Sequence, residues 1–573
     1  MGETIVSPGV VANENNQSYV TQAPIQSGAA IVGPTVKGKV GIPTIVTTYS
    51  EYSNKFGTTF ISGSSTYSYL TSISAYNYFN NGGTSLLVTR VASGSFTPAT
   101  ASVILPSTSQ SFEISTLSEG ILMNSDSTQF SDGTLASGSV DNLRYQVSSY
   151  DTGSGTFTLL VRQGNDSTYT PSVLETWSNL SLDPLSSNYI EKVIGNQYEQ
   201  VKNDNGEYYI DLIGTYPNKS KYIRISNVST PTPQYFDNSG NPKSQYTSSI
   251  PHLQSGSFGG ALGSNIPSGM SGSYYENISN INPQGIPASA YTESINLLAN
   301  KDAFKFNFIT VPGLIADGTN YASHYPVITS LISIIQSRGD SMIVADLVGK
   351  GANILSVTSN ALAIDNSYVA TYWPWTQTID PNTGQQVWVP ASTLIPGVYA
   401  FNDSISEPWY APAGTTRGVM SNVITTERNL TQGNRDSLYK TNVNGIATFP
   451  NSGVVVFGQK TLQKKPNALD RVGVRRLLIE LKSYISQVAN NLVFEQNTET
   501  TRNSFLSQVN PYLNSVKQRE GLDDYKVVMD TSNNTPTTID NNQLIGQIYL
   551  QPTKTIEFII LDFNILPSGI SIS

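Results

Sequence analysis

The sequence predicts a mixed α/β, multidomain chain. An α/β domain draws on separate stretches, a β-rich insertion interrupts it, and a small α+β unit closes the chain. Three observations predict this. The 573 residues are too many for one hydrophobic core. Alternating α and β patterns occur early and again late, with a long Ser/Thr/Gly/Tyr-rich, strand-like stretch between them. A long amphipathic helix pattern then precedes three strand-like runs.

Residues 1–20 read as an extended arm: "TIVSPGVVANENN" is a β-prone run broken by Pro8-Gly9, then a polar tail that cannot build a core. Residues 21–92 read as the first part of the α/β domain. Short β-branched runs lie between Gly and Pro over 29–48, and a helix is expected over 66–79, with Leu70, Ile73 and Tyr76 or Asn77 on one side. "NNGG" stops it, because Asn and Gly accept the left-handed conformation. "SLLVTRVA" then reads as a buried strand, giving a βαβ-like unit. Residues 93–276 read as one or two inserted β-rich domains, with strand-like runs "TFTLLVRQ" and "KYIRISNV" and turn sequences "NDNGEYY" and "DNSGN".

Residues 277–455 read as the second part of the α/β domain. "FKFNFITVPG" is a strand ending in Pro-Gly, 326–339 a helix with Pro at its start and Gly at its stop, and "SMIVADL" the next strand. Residues 456–564 read as the α+β unit. Its helix is expected over 470–494, with Val474, Leu477, Leu478, Leu481, Ile485, Val488 and Leu492 as one apolar stripe. A second helical segment runs from Thr501 to Gly521, broken or restarted at Pro511. "YKVVMD", "LIGQIYLQP" and "TIEFIILDFNI" are strands, and the tail over 565–573 alternates like an edge strand.

Composition narrows the function. Charged residues make up 13% of the chain, against about 25% in typical domains, so surfaces are polar and repel each other little; self-association is expected. A net charge of −9 argues against a general nucleic-acid or anionic-membrane binder. The absence of cysteine excludes disulfides, zinc–thiolate sites and thiol catalysis. No run reaches the ~18 apolar residues of a membrane span. The N-terminus lacks the pattern of a signal peptide, and Val6 stands where a myristoylation motif needs Ser or Thr, so synthesis and folding in a cytoplasm are expected.

Candidate chemistry is thin. "VGPTVKGKV" matches a P-loop from Gly33 to Lys39, but Val40 replaces the Ser or Thr that holds Mg²⁺, Pro34 removes an N–H, and Pro43 breaks what should be a helix. It reads as a turn between strands. His252 and His324 read as surface or boundary residues, with no nucleophile elbow or metal-ligand spacing near them. No cofactor or metal is expected. Trp373-Pro374-Trp375 reads as a packed core or interface anchor ahead of a ligand platform. Charge concentrates once: Lys460, Lys464, Lys465, Arg471, Arg475, Arg476 and Lys482 stand against Asp470 and Glu480. That is either a solvated helix face or a contact for an acidic partner.

Taken in order, these pieces resemble the sheath proteins of contractile tails, found in myophages and related injection machines. The resemblance rests on "SPGVV", "AAIVGPTVKGKVGIPTIVTTYSEYSNKFG" and "YNYFNNGGTSLLVTRV", then "SYVATYWPW", "VWVPASTLIPGVYAFND", "PWYAPAG", "VNGIATFPNSGVVVFGQKTL", "VGVRRLLIELKSYI", "LVFEQNT" and "YKVVMD". It implies a structural subunit, not an enzyme. Such subunits form stacked hexameric rings around a tail tube and contract from a metastable extended state to drive the tube through the host envelope. Implied partners are further copies, the tube protein, and baseplate and terminator or neck proteins; the implied location is the virion tail, assembled in the host cytoplasm. Terminal arms would add strands to neighbouring subunits, with Ile5, Val6, Val10, Val11, Ile570 and Ile572 as anchors. Residues 456–564 would form the inner domain facing the tube, with Lys464, Lys465, Arg471, Arg475, Arg476 and Lys482 as candidate contacts. Reversing Arg475 and Arg476 to Glu is then expected to weaken tube binding. A secreted surface-layer protein is the competing expectation, suggested by the Ser/Thr/Tyr-rich β regions and opposed by the missing secretion pattern.

Overall fold

An eight-stranded sheet organises the chain. Its order is Thr44–Val46, Leu86–Arg90, Ile25–Gly33, Phe304–Ile315, Met342–Asp346, Val369–Trp373, Asn444–Phe449, Gly453–Phe457. The six inner strands are parallel and the two outer ones antiparallel to their neighbours. In this computed structural model the described residues are 25–62, 64–265, 278–281 and 284–558. The expected arms over 1–20 and 565–573, with Ile5, Val6, Val10, Val11, Ile570 and Ile572, lie outside them.

Alternation along each strand sends side chains to two cores. Ile31, Val88, Phe308 and Val344 join one core, with Leu70, Ile73, Ile395 and Tyr399 from the helices Leu70–Asn80 and Ile395–Ile405. Val32, Leu87, Ile309 and Ile343 join the other, with Ile295, Ile328 and Val357 from Tyr291–Leu297, Tyr325–Arg338 and Ile354–Ala363. Ile25–Gly33 pairs with strands from both sides of the β-rich stretch, so that stretch is looped out of one sheet. It contains a three-stranded and a four-stranded sheet around a common core, where Phe112 and Phe157 stack at 5.5 Å. The hairpin Tyr198–Asp204/Glu207–Ile213 turns at Asn205-Gly206, both at positive φ as a tight hairpin turn requires. Its Val201, Tyr208 and Ile210 pack against the core that holds Val32, Leu87 and Ile309.

Several expectations need correction. The helix expected over 66–79 starts at Leu70; Ser65–Ser68 is a strand paired with Thr59–Ser62, because Tyr67 packs opposite Phe60 with ring centroids 5.9 Å apart. That helix is buried nearly all round. Its Ser72, Ser74 and Asn77 are small enough for the helix Ile395–Ile405 to approach, and a Cβ on Gly397 would lie 1.9 Å from Asn77 Oδ1. An unexpected helix, Tyr49–Phe56, is capped by Thr48, whose side chain accepts from the Glu51 N–H. The Thr-x-x-Glu spacing carried that cap in plain sight. Pro312-Gly313 does not end its strand, which continues to Ile315 through a register shift. There Gly313 adopts φ +97°, and the Gln284 amide donates to the Pro312 carbonyl at 2.8 Å.

The helix expected over 470–494 runs Val472–Asn490, and its successor Glu499–Gln518 continues unbroken through Pro511. Pro511 is exposed, while Val509, Leu513 and Val516 are fully buried, so core packing offsets the lost backbone bond. Residue 456 falls inside the central-sheet strand Gly453–Phe457, so the start expected for the last unit lies in the sheet. Val472 and Ile479 join the central core, the one that holds Ile31, Leu70 and Tyr399, whereas Leu477, Leu481 and Val488 join a separate small core with Phe505, Leu513 and, from far upstream, Trp409. The long helix therefore belongs to both cores. Of "TIEFIILDFNI", residues 555–558 form no strand and the rest lies outside the described residues.

Candidate assembly surface

The cations of 460–482 divide into an internal and an external set. Lys460 Nζ lies 3.8 Å from the centre of the Tyr439 ring and donates to the Asn442 side chain. Arg471 grips Glu557 with a fork, Nε to Oε1 at 2.7 Å and Nη2 to Oε2 at 3.0 Å, and pairs with Asp470 at 2.8 Å. Arg475 stacks 4.0 Å from the Tyr368 ring centre and donates to the Ser367 carbonyl and hydroxyl. Arg476 pairs with Asp403 at 2.5 Å over the ring of Tyr399. Arg475 and Arg476 are each 4% exposed. Burial pulls Arg475 below its ordinary pKa. Burial pulls Arg476 the same way, but the Asp403 carboxylate outweighs it and holds the group above its ordinary value.

Arg475 and Arg476, expected on a partner-facing surface, are thus structural. The first turns of the helix pack on the central sheet through two faces, and the long arginine stems reach aromatic rings and a carboxylate behind them. Arg471 is half-buried and committed to Glu557. Lys464, Lys465 and Lys482 are exposed. Lys482 rims a cleft of about 640 Å³ together with Lys301, Asp302, Lys305, Arg338 and Asp340.

A second feature is a two-stranded ribbon, Leu522–Val528 with Gln547–Pro552, which pairs with no other strand among the described residues. Tyr525, Val527, Ile548 and Leu550 pack on the small core, while Tyr549 is exposed. Among the described residues its outer edges pair with no further strand, and two strands alone are marginal in water. The turn between the two long helices presents Val493 and the fully exposed Phe494.

The remaining candidates are accounted for internally. In the P-loop-like turn, Lys37 pairs with Asp141 at 3.2 Å and Lys39 with Glu199 at 2.6 Å, both in the inserted stretch. Trp373 and Trp375 are buried, and Trp375 Nε1 donates to the Val348 carbonyl at 3.0 Å, so they are core residues, not a ligand platform. His324, expected near the surface, is fully buried. Its Nδ1 accepts from the Ile315 N–H at 3.1 Å and its Nε2 lies 3.0 Å from the Ser279 carbonyl; burial lowers its pKa to about 4, which leaves the ring neutral and Nε2–H donating. Among the described residues no group of three or more His, Asp or Glu side chains is placed to hold a metal, and no helix is long and apolar enough to cross a membrane.

Comparison with known proteins meets this geometry at the same two regions. Residues 285–462 match the phage tail sheath protein central domain and residues 464–565 the phage tail sheath C-terminal domain. Both matched domains are domains of phage tail sheath proteins, and together they span residues 285–565. Over 209 residues it is 37% identical to the tail sheath protein of Vibrio phage KVP40, covering 36% of this chain and 30% of that protein. Over 214 residues it is 36% identical to the tail sheath protein of Enterobacteria phage T4, covering 37% and 32%. The match spans about a third of the length of these relatives. The fold is shared with a sheath tail protein from Listeria innocua, at 10% identity and a TM-score of 0.51 over 92% of this chain and 95% of that one. The sheath C-terminal domain therefore contains the long helix, the ribbon, Arg471 and Glu557. Sequence reasoning missed Glu557 and Asp403, because a lone carboxylate far along the chain carries no spacing that names its partner.

Proposed function

We propose that this chain is the structural subunit of a contractile tail sheath. It polymerises as stacked hexameric rings around a tail tube, and contracts from a metastable extended state to drive the tube through the host cell envelope. The observation that carries this reading is the succession of the two sheath domains over 285–565. Conformational free energy stored in the assembled state does the work, without nucleotide and without catalysis. The internal pairing of Lys37 and Lys39 supports this, since neither lysine is held ready for a phosphate.

The partners are further copies of the chain, the tube protein, and baseplate and terminator or neck proteins, in a virion tail assembled in the bacterial cytoplasm. The α/β domain, formed by 21–92 and by 277 through the strand Gly453–Phe457, carries the insertion over 93–276 outward, and the C-terminal unit after that strand faces the tube. Lys464, Lys465 and Lys482 offer the tube a few salt-sensitive contacts. The arms over 1–20 and 565–573, anchored by Ile5, Val6, Val10, Val11, Ile570 and Ile572, add strands to ribbons of neighbouring copies. Negative-stain electron microscopy of the purified protein, alone and co-expressed with its tube protein, tests the reading. Ridged hollow tubes are expected; a monomer under both conditions overturns it.

A further inference from the structure

One apolar tip and one aromatic-walled cleft of this chain are unmatched within it. The turn after the long helix Val472–Asn490 carries Val493, 58% exposed, and Phe494, 100% exposed. Leu492 packs on the small core, but Phe494 sits at φ +73°, a left-handed conformation that bulky residues rarely adopt, and its ring stands in water. A buried aromatic ring removes ~150–250 Å² from water, so a contact at this tip has much to gain. Glu495 and Glu499 flank the ring; both are exposed and neither is in an ion pair among the described residues.

The cleft, of about 410 Å³, opens at the edge of the central sheet beside the strand Gly453–Phe457. Phe457 forms part of its wall and is 48% exposed. Arg435 lies 5.8 Å from the Phe457 ring centre, and Arg417 lies 4.9 Å from that of Tyr410. Each guanidinium is a fork of N–H donors. Arg435 gives one to the Leu430 carbonyl at 2.9 Å and Arg417 one to the Ala411 carbonyl at 3.2 Å. Among the described residues neither arginine pairs with a carboxylate. Of the carboxylates on the wall, Glu557 is already met by Arg471, which leaves Asp436.

The tip cannot fill its own cleft. The long helix starts at the cleft, where the Val472 N–H donates to the carbonyl of Gln459, a wall residue, at 2.7 Å. Its 19 residues, at ~1.5 Å each, place the other end about 28 Å away. The helix is fixed in both the central and the small core, so this separation is rigid. A tip that complements a cleft elsewhere on the same molecule makes a head-to-tail contact, which generates rings or open helical arrays and not closed pairs.

We propose that Phe494 of one copy enters the cleft of the next, packing on Phe457, while Glu495 meets Arg435 and Arg417 at its mouth. The ring answers the aromatic wall, and the carboxylate answers the two unpaired guanidinium groups. The inference rests on the self-assembly in the reading above and assigns one of its contacts to named side chains.

The chain has no cysteine, so introduced thiols report the contact directly. Val493→Cys beside the tip and Gln432→Cys on the cleft wall are both at exposed positions. The double variant, assembled with its tube protein and treated with a short bis-maleimide, should give a ladder of dimers, trimers and higher species on a denaturing gel, since the two thiols of one copy are too far apart to be bridged. Each single variant should remain a monomer. Mixed single variants, joined as dimers only, carry the test if the double variant does not fold. Phe494→Ser in the double variant should cut the cross-linked fraction at least fivefold with the melting temperature unchanged. Polymer without a ladder, a ladder insensitive to Phe494→Ser, or dimers of Val493→Cys alone overturn the tip-in-cleft contact and leave the sheath reading standing. Absence of both polymer and ladder overturns the two together.

Discussion

Arg476 separates a structural cation from a contact cation. The side chain is 4% exposed and paired with Asp403, whose own side chain is 31% exposed. Were both groups on the surface, the pair would contribute at most ~1 kcal/mol. With the cation buried, removing it leaves a carboxylate that water only partly reaches, which sets the cost at the low end of the ~3–5 kcal/mol of broken buried pairs. The lost stacking on Tyr399 adds up to ~1 kcal/mol. Arg476→Met keeps the apolar stem and should cost about 3 kcal/mol. At ~2–4 °C per kcal/mol for a unit of 150–250 residues, calorimetry should show its transition ~6–12 °C lower. Arg476→Glu adds a carboxylate beside Asp403 and Glu480 and should lower it further. Lys464→Glu and Lys482→Glu, at exposed positions, should stay within ~0.5 kcal/mol of wild type. An Arg476→Glu protein that melts like Lys482→Glu refutes the buried pair. If the pair stands, loss of tube binding on reversing Arg475 and Arg476 reports unfolding, and only the lysines can test the contact.

Gly397→Ala should destabilise the central domain by ~1–3 kcal/mol, since its Cβ would overlap Asn77 Oδ1; a melting temperature at or above wild type refutes the close approach of those helices. Burial pushes Asp346 up to about 6 from 3.8, against the opposing bonds from Ser392. The native state thus keeps a proton that the unfolded chain releases, so this contribution is fully present below pH ~4 and is lost as pH rises through ~6, about 3 kcal/mol over two units. The melting temperature of Asp346→Asn relative to wild type should therefore rise from pH 4 to 7, and a flat difference refutes it. His324 has the opposite sign: its folded pKa is depressed to about 4, so its contribution is present above ~6.5 and is lost as pH falls through ~4. Its ring resonances should remain those of neutral imidazole at pH 5.5, and protonation near 6.5 would refute its burial.

Patterning made the parallel strands and the long helices legible, because period and stop residues act locally. "SMIVADL" and "PVITSLISIIQSRG" could be read alone: one strand is buried on both faces, the other segment carries Pro at its start and a left-handed Gly at its stop. Expectations failed where tertiary contacts overrule local preference. Pro511 is tolerated because its face meets water while the opposite face holds three core residues. Pro312-Gly313 is absorbed into a strand because Gln284 supplies a donor to it. The basic segment misled most. A count of charges cannot distinguish Lys482, which reaches solvent, from Arg476, whose partner Asp403 lies in another helix. Ring neighbours Tyr368 and Tyr399 are equally remote in sequence.

That misreading bears on how a contracting subunit can be built. The long helix enters the central core with Val472 and Ile479 and the small core with Leu477, Leu481 and Val488. Arg476–Asp403 locks its first half. Across the same junction Arg519 pairs with Glu407 at 2.8 Å, stacks on Trp409, and accepts the Trp409 indole N–H on its carbonyl. Separating the two cores would strip the shared helix from one of them, break the Arg519–Glu407 pair and open the Trp409 pocket, which together cost several kcal/mol. Large rearrangements of packed proteins move rigid bodies about the contacts that cost least to remake. Under the sheath reading proposed above, the central and C-terminal domains would move together, and the change of shape would fall on the contacts between copies. Backbone strand pairing would suit those contacts under that reading, since its hydrogen bonds persist while the bodies they join rotate, and exposed lysines such as Lys464, Lys465 and Lys482 could release a partner without unfolding anything.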